Sequence, residues 1–362
     1  MKKVWIIFLT IGCSLLLLGG ALFTFGFGLA GWDVKALQNT QVTEKTYTEA
    51  TAGALNRIAL DFDVTDVKVV FSEETDKVTI TYPQLQTRKG ANLSEIKITE
   101  TEDSISFCEK TTKWWRVSLF GTPNATATVT LPIGKKYSLS LKTDTGDVLL
   151  SGNGEFTDVC VATDTGDVKF SGTFAASTLE VETDTGDVRL DNASIVCDKY
   201  ISLSADTGDI TAADFTADSL KIETDTGDVK LNGNGTVVNK AEIETDTGDV
   251  RISKSLTAAT VVISTDTGKV LLGNLSGASL SANTNTGDIK SLSDCVLDFT
   301  TVELITDTGD VKVSLAGSQK DYFIRAKTST GSCNIYPTPD YSQPRKLTIR
   351  CSTGDIFASF DS

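Results

Sequence analysis

The residues best placed to do chemistry are aspartates in eight copies of Asp-Thr-Gly, beginning at Asp144, Asp164, Asp184, Asp206, Asp225, Asp246, Asp266 and Asp307. Two such tripeptides whose aspartates share a proton in one cleft make an acid protease. Here each follows Thr or Ala rather than an apolar run, most precede another Asp, and the motif recurs far more than twice. A site that must be unique is seldom written repeatedly in register, so an enzyme is not expected.

The second possibility is cation binding. Stacked copies would place Asp144, Asp164, Asp184, Asp225 and Asp246 in one column and Asp147, Asp167, Asp187, Asp228 and Asp249 in another. Neighbouring carboxylates about 4.8 Å apart repel by roughly 1 kcal/mol in water and roughly 3–4 kcal/mol at an effective dielectric of 20. A ladder of Ca²⁺ ions would offset this, since Ca²⁺ takes several carboxylate and carbonyl oxygens. Salt screening and hydrogen bonds from corner amides and Thr hydroxyls would do so too. So would the bases three after the glycine, Lys169, Arg189, Lys230, Arg251, Lys290 and Lys312, through ion pairs across coils. Aspartates that form corners and bond local backbone are the favoured reading. Lys269, Asn285, Ser329 and Ser352 interrupt the columns, and no cofactor other than such Ca²⁺ is expected.

The elements that position these residues follow from the glycines. Gly146, Gly166, Gly186, Gly208, Gly227, Gly248, Gly268, Gly287, Gly309, Gly331 and Gly354 each follow Thr and recur every 19–23 residues, a period typical of stacked solenoid coils. Aliphatic residues stand seven and five positions before each glycine and, except for Cys333, two after it. A spacing of two is strand alternation with one buried face. Glycine suits the bend because it takes positive φ at little cost. Some twenty residues cannot bury such a face alone, so each coil must lie on the next. The predicted fold is all-β: a single-stranded parallel β-solenoid of about eleven coils over 139–362, with a divergent β cap over 51–138. Within the cap, Asp63-Val64-Thr65-Asp66-Val67 reads as a worn corner with its glycine replaced.

Residues 4–32 carry no charge, longer than the ~20 residues a bilayer span needs. With Lys2 and Lys3 before this run and Asp33 after it, 1–32 reads as a retained transmembrane helix, N-terminus cytoplasmic and solenoid outside. Gly12-Cys13 leaves a lipoprotein signal as the alternative, opposed by the long apolar stretch that follows it. Residues 33–50 read as a polar tether, and anchorage is expected at the N-terminus only. The net charge of −15 repels nucleic acid and anionic headgroups, and the absence of histidine removes the commonest general base and metal ligand. Trp114 and Trp115, between Lys113 and Arg116, read either as a membrane-interface contact or as a plug for the solenoid end. Cys160 points outward; Cys333 and Cys351 point inward.

The serial Thr-Asp-Thr-Gly-Asp-Val units at Thr143–Val148, Thr163–Val168 and Thr183–Val188, preceded by Leu-x-Ile/Val pairs, resemble the bacterial β-strand-repeat family of unknown function classed as candidate adhesins. That resemblance spans roughly 50–360 and implies an envelope protein. The expected function is a membrane-anchored, non-catalytic structural or adhesin-like surface. Its partners would be an unknown protein, the cell wall or a second copy; the alternative is a regulatory component of an envelope-stress response acting through a membrane partner.

Overall fold

The computed structural model describes residues 40–50, 52–87, 90–111, 126–338 and 342–361. The repeated region winds as parallel coils. Strands such as Val148–Thr165, Val168–Thr185, Val188–Thr207 and Ile210–Thr226 each run nearly a full turn. Register is kept from coil to coil: Val148, Val168, Val188, Ile210, Val229 and Val250 are successive partners after the corner. Before it, Leu139, Val159, Leu179, Ile201 and Leu220 do the same. Alternation therefore drives whole columns of aliphatic side chains inside, and nearly all are under a few per cent exposed. The Gly/Asn-rich returns expected between strands are themselves extended in the first coils, as Ser151–Gly154 lies within Val148–Thr165.

The ends depart from chain order. Arg57–Phe62 lies between Lys136–Thr145 and Ser104–Thr111, and Asp66–Ser72 between Val148–Thr165 and Thr126–Pro132. Residues 57–72 thus form a true coil around the worn corner, and later segments cover it. Antiparallel strands close this end: Ser94–Glu100 on Ser104–Thr111, and Thr79–Thr87 on Thr126–Pro132. Thr40–Thr48 adds to Thr79–Thr87, so from Thr40 onward the expected tether is a strand. The reason is apolar anchorage: Val42 packs on Leu85 and Leu93, and Tyr47 on the main core.

At the other end, Arg345–Thr353 lies between Leu297–Thr308 and Tyr322–Thr330. The Gly354 coil therefore sits on the Gly309 coil, and the Gly331 coil is outermost, the reverse of their sequence order. Composition explains the exchange. The Gly354 coil fills the core with Leu347, Ile349 and Ile356, whereas the Gly331 coil offers Ala326 and Cys333 at the matching positions, with Ile335 buried beyond them. Among the described residues no helix is long and apolar enough to cross a membrane. The apolar run 4–32 lies outside them.

Candidate functional site

The corners form one continuous column, and each glycine is dictated by the coil beneath. A Cβ on Gly166 would sit 2.1 Å from the carbonyl oxygen of Gly146, and on Gly248 1.8 Å from that of Gly227. Backbone, not a movable side chain, fills that space. Positive φ accompanies this at several corners, such as Gly186 at 150°, but at Gly227 and Gly248 the close approach acts without a left-handed φ. Corner amides bond upward: Gly166 N–H donates to the Thr185 carbonyl at 2.9 Å and Val168 N–H to that of Asp187 at 2.9 Å.

From Thr163 to Thr306 the threonine three before the glycine is buried and its hydroxyl donates to the glycine carbonyl of the preceding coil, whereas Thr143, above the worn corner, has no partner for its hydroxyl. Thr224 bonds Gly208 at 3.1 Å, Thr245 bonds Gly227 at 3.0 Å and Thr306 bonds Gly287 at 2.9 Å. Ala205 interrupts this column above Gly186. Near the end Cys351 takes the threonine's place, its thiol 3.1 Å from the Gly309 carbonyl.

The aspartate after each glycine builds a second ladder. Asp147 accepts from the amide of Asp167 at 2.9 Å, Asp167 from Asp187 at 3.0 Å, Asp187 from Asp209 at 2.8 Å, Asp209 from Asp228 at 2.9 Å, and Asp228 from Asp249 at 2.9 Å. The worn corner starts it, with Asp66 accepting from Asp147 at 3.0 Å, and Asp355 ends it by accepting from Ser332 at 2.7 Å. The aspartates thus bond the next coil rather than their own turn, which corrects the local-backbone expectation. Such charge-assisted bonds also offset the repulsion within the column. Lys269 offers no acceptor to the amide above it, so the ladder breaks there.

The outward bases pair mostly within their own coil: Lys169 with Asp167 at 2.9 Å, Arg189 with Asp187 at 2.5 Å, and Lys290 with Asp288 at 2.7 Å. Lys230 alone of these bridges coils, reaching Asp209 at 2.9 Å and Asp228 at 3.0 Å. Arg251 bonds Ser253 instead, and Lys312 lies over the Phe357 ring. The expected cross-coil pairing therefore holds at one position, because a base two residues from an aspartate on the same strand face reaches it with less extension. Partial burial raises the pKa of Asp167, but the Asp187 amide and Lys169 outweigh it and leave the carboxylate below its usual value. Asp228 and Asp288 are lowered by the same balance.

The first column behaves differently. Asp144, Asp164, Asp184, Asp225 and Asp246 are exposed, and none of the ion pairs among the described residues includes them. Burial, then Asp164 and Asp63, push Asp144 up. Of the candidate Ca²⁺ ligands, then, Asp147, Asp167, Asp187 and Asp228 have an oxygen engaged by a backbone amide, and Asp249 by the amide of Lys269 at 2.7 Å. Among the described residues no group of three or more His, Cys, Asp or Glu is arranged to hold a metal. The Asp-Thr-Gly units lie edge on edge along one corner and do not face each other across a cleft. Trp114 and Trp115 lie outside the described residues. Cys160 is exposed and Cys351 buried, as their offsets imply, and Cys333 is partly buried against the core.

Sequence reasoning missed a groove at the outer coils, of about 660 Å³, lined by Ile305, Arg325, Lys327, Pro337 and Arg350 among others. Its bases come from coils whose adjacency depends on the exchanged order, so chain position did not bring them together. The signal available was Ser332. A coil whose corner has no further corner above it among the described residues needs no carboxylate after its glycine.

A stack of near-identical parallel coils, held along one corner by backbone, threonine and aspartate bonds from coil to coil, defines a solenoid repeat protein. The chain belongs to the Toastrack DUF4097 family, whose model matches residues 55–232 and again 196–354. Among solved structures, a candidate adhesin of Parabacteroides distasonis is 14% identical, covering 76% of this chain and 98% of its own, with a TM-score of 0.40. A candidate adhesin of Bacteroides fragilis is 15% identical, covering 88% and 97%, with a TM-score of 0.26. A candidate lipid-binding protein of Parabacteroides distasonis is 12% identical, covering 75% and 96%, with a TM-score of 0.35. No curated protein matches the chain.

Proposed function

We propose that this is a membrane-anchored, non-catalytic envelope protein, held by the apolar segment 4–32 and displaying its solenoid outside the cytoplasm as an adhesin-like interaction surface. One observation carries the reading. Along the repeated corner the glycine backbone, the threonine hydroxyl and the second aspartate are each committed to a neighbouring coil. Repetition therefore builds a rod and leaves the outward faces for contact.

The orientation is tested on intact cells with a maleimide that cannot cross membranes. Exposed Cys160 should be labelled, and a Cys160→Ser variant should lose that label, while buried Cys197 and Cys351 stay unmodified in the folded protein. Labelling of Cys160 only after lysis would overturn the orientation. The adhesive role requires that deletion reduce attachment. Unchanged attachment together with specific crosslinking to one membrane protein would favour the envelope-stress role instead.

A further inference from the structure

The strand entering each corner carries two outward positions, six and four residues before the glycine. Along the body of the rod these hold Glu180 and Glu182, Glu223, Glu242 and Glu244, then Glu303, followed in each coil by the exposed first aspartate; the bases there are Lys142 at the first corner and Lys221, which is paired with Glu223. In the two outer coils the sign reverses. Arg325, Lys327 and Arg350 occupy the outward positions, and Ser329 and Ser352 replace the aspartate. Acids leave and bases enter together, on one face, in a chain whose net charge is −15.

The exchanged stacking brings these bases side by side. Ile305 is the register partner of Arg350, and Arg350 of Lys327. None of the ion pairs among the described residues uses Lys327 or Arg350. Two cations on adjacent strands repel each other, whereas Lys169, Arg189, Lys230 and Lys290 along the rod each face an aspartate. Arg325 lies over the Phe323 ring, 5.1 Å from its centre. The lining carboxylate among the described residues, Asp307, accepts from the Ser352 hydroxyl at 3.2 Å. Ile305, Ala326 and Pro337 give the groove apolar walls, which strengthen charge interactions by excluding water. The groove, of about 660 Å³ and open to solvent, has room for a chain laid along it.

We infer that this groove binds an anionic polymer, its phosphate or carboxylate groups engaging Lys327 and Arg350 while the chain runs across the outer coils. The guanidinium fork of Arg350 matches either oxyanion. The inference deepens the interaction-surface reading and names its partner class. Its test uses purified protein, so its outcome is separate from that of the cell-labelling experiment.

The full chain in detergent is titrated into fluorescently labelled polyphosphate and, in a second arm, labelled polyglutamate, with anisotropy read at low salt. At least one polymer should bind and raise the melting temperature, and the arm that responds identifies the oxyanion. The double variant Lys327→Ser with Arg350→Thr should lose about tenfold or more in affinity and reduce the salt slope by about 2, one per lost phosphate contact. Lys142→Ser, in the same column at the opposite end, should stay within about twofold of wild type. Without ligand the double variant should melt no lower than wild type, because a like-charge pair has gone. Wild type binding neither polymer, the double variant binding as wild type does, or binding loss that tracks lowered melting would each overturn the inference. So would sedimentation showing instead a Lys327- and Arg350-dependent dimer with no polymer binding.

Discussion

Replacing Gly227 with alanine tests the corner most directly, because this glycine does not adopt a left-handed φ and so isolates the steric demand of stacking. Its Cβ would lie 2.0 Å from the Gly208 carbonyl oxygen, 2.5 Å from the carbonyl carbon and 3.2 Å from the Asp209 amide nitrogen. The coils must part by more than an ångström to admit it. Four bonds cross that joint: Gly208 N–H to the Thr226 carbonyl at 2.9 Å and Ile210 N–H to the Asp228 carbonyl at 3.0 Å, with Thr224 Oγ1 to the Gly208 carbonyl at 3.1 Å and Asp228 N–H to Asp209 Oδ1 at 2.9 Å. At about 1 kcal/mol net for each, their weakening amounts to roughly 4 kcal/mol. The control is Gly134→Ala. Gly134 has φ of 77° and nothing within 4 Å of its Cβ, so only conformational strain of about 1 kcal/mol is expected. Urea titration followed by circular dichroism reads both, with the slope checked for constancy so that the midpoint reports stability. A loss at Gly227 no larger than that at Gly134 would refute glycine-on-glycine stacking.

Gaps in the ladders and the titration of carboxylates give further expectations. Ala205→Thr, flanked in register by Thr183 and Thr224, should place a hydroxyl above the Gly186 carbonyl and raise stability by about 1 kcal/mol; a lower urea midpoint would contradict the threonine ladder. Lys269→Asn should supply the missing acceptor for the Asp288 amide and gain about 0.5–1 kcal/mol, whereas a loss would mean that attraction of Lys269 for Asp288 matters more. Because Asp167, Asp228, Asp288 and Asp355 are held below 3.8 in the folded state, they release protons on folding. Their contribution is complete above pH 3.8 and disappears as pH falls through their lower folded values. Buried Glu109, raised above 4.5 chiefly by desolvation, has the opposite sign: stability rises as pH falls through its folded value toward 4.5, and Glu109→Gln should remove that rise. Denaturant midpoints measured from pH 7 to pH 3 check both signs.

Much of the architecture was legible because a period of two inside a period of about twenty leaves few alternatives. Inward columns, outward bases, the worn corner at Asp63–Val67 and the outward thiol of Cys160 all follow from offsets to a glycine. What offsets do not carry is which coil touches which. Leu347, Ile349 and Ile356 satisfy the pattern as well as any body coil, so nothing in local alternation marks them as inserted. Only by comparing Ala326, Cys333 and Ser332 with their counterparts does the Gly331 coil stand out as an end. The function of the second aspartate was half legible: a backbone acceptor was expected, but its donor lies a coil away. The close backbone approach at each glycine was invisible for the same reason. The strand Thr40–Thr48 was hidden by its polar composition, since Val42 and Tyr47 are too few to reveal a buried edge.

The intercalated strand Arg345–Thr353 has a consequence for assembly during synthesis. A stack laid down strictly as the polypeptide emerges would rest every turn on the one translated just before it. Here Tyr322–Thr330 has no floor until residues 345–353 arrive and pair with Leu297–Thr308, so the earlier strand docks after the later one. The distal tip is therefore a keystone joint: vectorial growth can complete the body, but the end locks only after the ribosome has delivered the segment that lies beneath its predecessor.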